Sequence, residues 1–188
     1  MKFNRVILLS VTLALAGCVP QQQYNQEVQQ VQQLKYLNST DQQLNQSLQA
    51  EVNANQVQIK QLQNRLEVTM VNDILFPEGG WELSEKGHRS LNKVVPALQG
   101  VPGKQIVIEG YTDNLPILRP LSDRFPSNWD LSAARAISVV RFLVDRGLDP
   151  NQLSAVAYGQ YHPIASNDTP QGRQQNRRIN IVIQDQAP

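Results

Sequence analysis

Cysteine occurs once in this sequence, at Cys18, and histidine twice, at His88 and His162. A single thiol excludes a disulfide within the chain, and two isolated histidines offer no zinc-ligand spacing. The formal net charge is only +1 and no cluster of Lys and Arg occurs. That removes the electrostatic case for nucleic acid, because phosphate binding needs concentrated positive charge. No apolar run reaches the roughly 20 residues that a membrane-spanning helix requires. Glycine and proline are missing altogether from residues 21–63, so the usual turn formers are absent there.

What is present begins with Lys2 and Arg5, followed by the apolar run Val6 to Ala16 and then Gly17-Cys18. A short positive segment ahead of a short apolar one reads as a signal peptide over residues 1–17. Small residues directly before a cysteine resemble a bacterial lipobox, in which Cys18 is lipidated and residues 18–20 form the mature N-terminus; an ordinary secretory signal is the plainer alternative. Each buried methylene of an acyl chain contributes about 0.8 kcal/mol, so several chains anchor durably. With Val19 in place of Asp after the cysteine, the resemblance to enteric lipoproteins implies the outer membrane, with the rest of the chain in the periplasm.

Residues 21–63 then contain 16 glutamines. The series Leu44, Leu48, Val52, Asn55, Ile59, Leu62, Leu66 advances by three and four, and an earlier series runs Tyr24, Val28, Val31, Leu34, as a one-striped helix requires. The expectation is a helical spacer over 21–68, about 70 Å long if continuous. Its narrow stripe suggests a coiled-coil seam and a homo-oligomer; a disordered Gln-rich tether is the alternative.

A separate domain is expected over residues 69–184, with 185–188 as a tail. Thr69 to Phe76 reads as a strand ended by Pro77 and Gly79-Gly80. Ser84 caps a helix with Leu91, Val94, Val95 and Leu98 on one face and Pro96 awkwardly inside it. Gln105 to Tyr111 is a second strand and Leu153 to Tyr158 a third. Thr169-Pro170 opens a short helix, and Ile179 to Ile183 is the last strand. Alternation of this kind implies an α+β, two-layer sandwich preceded by a long N-terminal helix.

The chemistry gathers between Gly110 and Ala136. Asp113 lies just past a strand end, and Arg135 falls on the following helix, whose expected N-cap is Ser132. That places a cation in the first turn, against the helix dipole, at a cost of about 0.3 to 1 kcal/mol. The connection from Asn114 to Leu131 far exceeds the roughly 2 to 6 residues usual for such links. An acid and a base at the two ends of a long loop suit a ligand carrying both charges. A solvated turn and a surface helix charge are the bland readings of Asp113 and Arg135.

Gly110-Tyr111-Thr112-Asp113, Asn128-x-x-Leu131-Ser132-x-x-Arg135-Ala136, Gly159-x-x-x-Pro163 and Asn176-Arg177-Arg178 together resemble the motif series of OmpA-like peptidoglycan-binding domains, in the family's order. The resemblance implies a βαβαβ fold with mixed strand directions and non-covalent binding of peptidoglycan through the diaminopimelate of its stem peptide. It assigns the ammonium to Asp113 and the carboxylate to Arg135, with Thr112 and Asn128 in support and Arg178 either structural or ligand-binding. No cofactor or metal is implied.

The segment from Asn114-Leu115-Pro116-Ile117 to Phe125-Pro126-Ser127-Asn128-Trp129 is longer than usual for the family and is similar to the periplasmic domains of flagellar stator B-subunits. A stator needs a full membrane helix bearing an acid, which Val6 to Ala16 does not supply, so the alternative is an accessory role in a motor or secretion envelope complex. An enzyme is not expected. Asp113, Asp123 and Asp130 cluster in sequence, but the one cysteine is assigned to lipid and neither histidine is placed for catalysis.

Overall fold

The computed structural model describes residues 21–185. The lipidation site at Cys18, the signal sequence and residues 186–188 lie outside the described residues. The chain divides into two compact units, residues 1–33 and 34–188, with helix α1 (Gln21–Ser47) running from one into the other. In the first unit the described residues 21–33 are helical, and Tyr24, Val28 and Val31 are exposed.

In the second unit, α1 continues through Leu34 to Ser47, followed by the short helix α2 (Gln49–Asn53). The helical path ends at Asn55, which adopts φ 55°. Asparagine tolerates this left-handed conformation and commonly closes helices there. The chain then enters strand β1 (Val57–Leu62), turns through Gln63-Asn64, and returns as β2 (Arg65–Val71). A single helical turn α3 (Asn72–Leu75) leads to α4 (Glu85–Gln99), β3 (Lys104–Tyr111), α5 (Leu121–Arg124), α6 (Asn128–Asp145), β4 (Leu153–Gly159), α7 (Pro170–Asn176) and β5 (Arg178–Asp185).

The five strands form one sheet in the order β1-β2-β5-β3-β4. Only β3 and β4 run parallel; the other neighbours are antiparallel. The parallel pair needs a crossover, and α6 supplies it. Alternate residues of the central strands turn toward the helices: Leu66, Val68 and Met70 from β2, Ile106 and Ile108 from β3, and Ile179, Ile181 and Ile183 from β5. They share one apolar cluster with Leu91, Val94 and Leu98 of α4 and Ala136, Val139 and Leu143 of α6. The α+β sandwich expected from sequence is the fold observed.

Two boundaries differ from the sequence reading. The spacer does not extend as helix to residue 68, because residues 57–62 are strand and pair with 65–70 in the sheet. Leu44 and Leu48, expected on a coiled-coil seam, are fully buried with Leu37 in the core of the second unit. Spacing by three and four marks a buried helical face without saying what covers it. In Val57-Gln-Ile59-Lys-Gln61 a period of two overlaps the helical series, and here the strand period prevails. The strand placed at Thr69 to Phe76 begins earlier and gives way to α3 after Val71.

Caps were more legible. Ser84 accepts from the Gly87 amide at the start of α4, and Thr169 accepts from the Gly172 amide ahead of Pro170. Helix α4 carries Pro96 without ending and stops at Gln99.

Candidate functional site

The site is built where β3 ends against the beginning of α6. Strand and helix approach so closely that a Cβ on Gly110 would stand 2.2 Å from the Ser132 carbonyl oxygen. Only glycine permits that contact. Ser132 itself is fully buried; its hydroxyl donates to the Trp129 carbonyl and accepts from the Gly159 amide. It is therefore a clasp between α6 and β4 and not the expected N-cap.

The N-cap is Ser127, one turn and more earlier, with Asp130 completing a capping box. Ser-x-x-Asp satisfies two orphan amides reciprocally. Arg135 consequently lies about two turns into α6, beyond the dipole's positive end, and the expectation that it opposes the dipole is withdrawn. The Ser127 and Asp130 amides at the helix start are taken by the capping box.

Around this junction lies a cleft of about 730 Å³. Thr112, Asp113, Asn128 and Arg135, all singled out in the sequence, line it together with Arg177 and Asp73. Asp113 is 7 % exposed. Its Oδ2 accepts from Arg177 Nη1 at 2.8 Å, while its Oδ1 accepts from the Leu115 amide at 3.1 Å. Arg135 is 6 % exposed, with Nε donating to the Gly80 carbonyl at 2.9 Å and its guanidinium 5.5 Å from the Phe76 ring centre. No carboxylate forms a salt bridge with Arg135 among the described residues.

Burial pushes the Arg135 guanidinium down to about 10, and the nearby charge of Arg177 pushes the same way, against the weaker opposing pull of Asp113 and Asp73. A cation in this state gains from any anion delivered to it. Arg177 also lies 3.7 Å from Asp73, whose other oxygen accepts from Gln174 Nε2. The cleft thus alternates acid and base over a short span.

The two supporting residues act mainly on the loop. The Thr112 hydroxyl donates to the Asp113 carbonyl. Asn128 Nδ2 donates to the Leu115 carbonyl at 3.1 Å and to Gln160 Oε1 at 2.7 Å. Between them the chain carries a cis Arg119-Pro120 bond and the turn α5, and Phe125 packs edge-on against Trp81. The connection between β3 and α6 is therefore shorter and better ordered than the open loop 114–131 read from sequence.

Arg178 does not line the cleft. It is buried, with its guanidinium 3.7 Å from the centre of the Tyr111 ring and its nitrogens donating to the Asn176 and His162 carbonyls. Burial lowers its pKa. Of the two readings offered for this residue, the contacts are those of a structural one. Arg177, unassigned from sequence, takes the position in the cleft. Asn176 is fully buried, accepting from the Ile164 and Ala165 amides and donating to the Ala165 carbonyl and Asn167 Oδ1.

Comparison with known proteins agrees with this architecture. The chain is 36% identical over 134 residues to Motility protein B of Bacillus subtilis, covering 66% of this chain and 50% of that protein. It is 36% identical over 122 residues to the peptidoglycan-binding protein ArfA of Mycobacterium tuberculosis, covering 65% of this chain and 35% of ArfA. The chain thus matches half or less of the length of these relatives. Among solved structures, the cell wall anchor of the T6SS from Pseudomonas aeruginosa superposes with a TM-score of 0.69 at 31% identity, over 76% of this chain and 97% of that one. The periplasmic domain of Helicobacter pylori MotB superposes with a TM-score of 0.63 at 28% identity, over 70% and 80% respectively. Residues 75–177 match the OmpA family, and with the sheet and its cleft in place the chain belongs to that family.

Proposed function

We propose that this protein binds peptidoglycan non-covalently through the diaminopimelate of a stem peptide and acts as an anchor, not as an enzyme. The observation that carries the reading is the shared cleft of Asp113 and Arg135, two nearly buried and oppositely charged side chains, of which Arg135 lacks a carboxylate partner among the described residues. Arg135 takes the ligand carboxylate, for which a guanidinium offers a matching fork. Asp113 takes the ammonium on a lone pair left beside Arg177. Thr112 and Asn128 hold the loop in place around the ligand. The named binding activity of ArfA and the anchoring role in the T6SS structure's description favour the same ligand class.

In the fuller reading, Cys18 carries lipid, the protein sits in the outer membrane, and α1 spaces the periplasmic domain from it. The exposed stripe Tyr24, Val28 and Val31 is the surface for self-association. A second reading, an accessory component of a secretion or motor complex, is favoured by one observation: the chain covers 97% of the T6SS wall anchor.

Sacculi with diaminopimelate should retain the wild-type protein, and both Asp113→Asn and Arg135→Ala should weaken retention about 10- to 100-fold, the equivalent of one charged hydrogen bond each. Equal retention of all three would overturn the site. Lysine-type wall lacks the second carboxylate and should bind clearly less, because Arg135 is then left unmatched; equal affinity would remove Arg135 from that role.

A further inference from the structure

Next to Asn128 in the chain, but outside the residues that line the cleft, two aromatic rings meet in the open. Trp129 and Tyr161 have ring centres 4.5 Å apart at 33°, and they remain 51% and 57% exposed. Exposed aromatic surface of this size is unusual unless it serves a partner. The other tryptophan makes the contrast: Trp81 is covered by the Arg124 guanidinium at 4.3 Å and by the edge of Phe125. Among the described residues no cation covers Trp129.

The pair is fixed to the cleft by a short chain of contacts. Trp129 follows Asn128, which lines the cleft, and Tyr161 follows Gln160, which accepts from Asn128 at 2.7 Å. Against Trp129, Gly159 holds φ 55°, and a Cβ there would press on the Trp129 amide at 3.2 Å and on its ring at 3.3 Å. Trp129 is therefore packed closely on the Gly159 backbone, and Tyr161 leans on it. Gln160, the residue before Tyr161, uses its carboxamide oxygen on Asn128, and its Nε2 donates to no described residue.

We propose that Trp129 and Tyr161 form a carbohydrate platform that takes a pyranose ring of an N-acetylated aminosugar, with the Gln160 carboxamide donating to its substituents. The inference rests on the proposed function: a stem peptide held at Asp113 and Arg135 hangs from a glycan strand, and the platform is joined to the cleft through Asn128, which lines the cleft, precedes Trp129 and donates to Gln160. An exposed aromatic face backed by a second, tilted ring suits a sugar ring, whose C–H face is apolar and whose rim carries hydrogen-bonding groups. Tryptophan and tyrosine side chains are uncharged at neutral pH, so the two rings offer no ion pair to a second charged peptide group.

The test is calorimetric titration of the full-length protein with two probes, the free stem tetrapeptide containing diaminopimelate and the same peptide attached to its N-acetylglucosamine–N-acetylmuramic acid disaccharide. Wild type should bind the glycosylated probe about five- to tenfold more tightly. Trp129→Ala and Tyr161→Ala should each remove that gain while leaving the free-peptide affinity unchanged, and Trp129→Phe should restore most of it. Equal affinity of wild type for the two probes, or a gain that survives both alanine substitutions, would overturn the platform. Failure of the cleft reading looks different: the free peptide would not bind, or would bind Asp113→Asn as well as wild type. A glycosylated probe still sensitive to Trp129→Ala would then leave the platform standing alone.

Discussion

Arg135 is a cation that the fold holds at a cost. Its pKa is lowered to about 10, first by burial, so the folded state binds its proton less readily than the unfolded state does. The charging penalty is fully present at neutral pH and is relieved only as pH rises from about 10 toward the ordinary arginine value. Replacing a buried, unpaired charge by an apolar side chain of similar length commonly leaves stability unchanged or raises it. Arg135→Met should therefore melt no lower than wild type at pH 7 while losing wall binding. A fall of several degrees in Tm would instead make the guanidinium a structural group. Asp113, Thr112, Asn128 and Arg135 were legible because each stands in a motif. Arg177 stands in a motif as well, but the resemblance gave the candidate role to its neighbour Arg178; strand parity holds the signal that separates the two. Ile179, Ile181 and Ile183 face the helices, the side on which the cleft lies, so the odd-numbered Arg177 shares their side and Arg178 falls on the other.

At the level of elements, the cleft depends on how tightly β3 seats against α6. Gly110→Ala would drive a methyl group into the Ser132 carbonyl, and neither backbone can withdraw without moving Asp113 relative to Arg135. The substitution should cost about 3 kcal/mol or more, read as a lowered midpoint in urea, since overpacking a close backbone contact is among the larger single-residue effects. A midpoint within experimental error of wild type would show that the junction yields. Helices α4 and α7 were recognisable from their capping residues, which act locally. The hairpin β1–β2 was not, because Ile59, Leu62 and Leu66 fit a helical stripe although they lie on strands. Only pairing with β5 through residues distant in sequence decides between them. The start of α6 was misplaced for another reason: Ser132 was read as its cap, whereas Ser127 with Asp130 three residues on forms the capping box.

For the whole molecule, the folding unit begins well before residue 69. A fragment starting at Thr69 lacks β1 and most of β2, and exposes the flank of β5, an unpaired edge that invites aggregation. It should show no cooperative thermal transition by circular dichroism. A fragment starting at Leu34 keeps Leu37, Leu44 and Leu48 in the core and should melt cooperatively. Equal melting of the two would mean that the hairpin is an appendage. The order of elements along the chain also has a mechanical meaning. Tension entering at Leu34 meets the buried face of α1 first, then β1, an edge strand paired with β2 alone, and reaches Asn72 and Asp73 at the cleft wall only afterwards. Neither α1 nor β1 contributes a residue to the cleft, so a pull transmitted along the chain loads the core-forming elements before it loads the cleft wall.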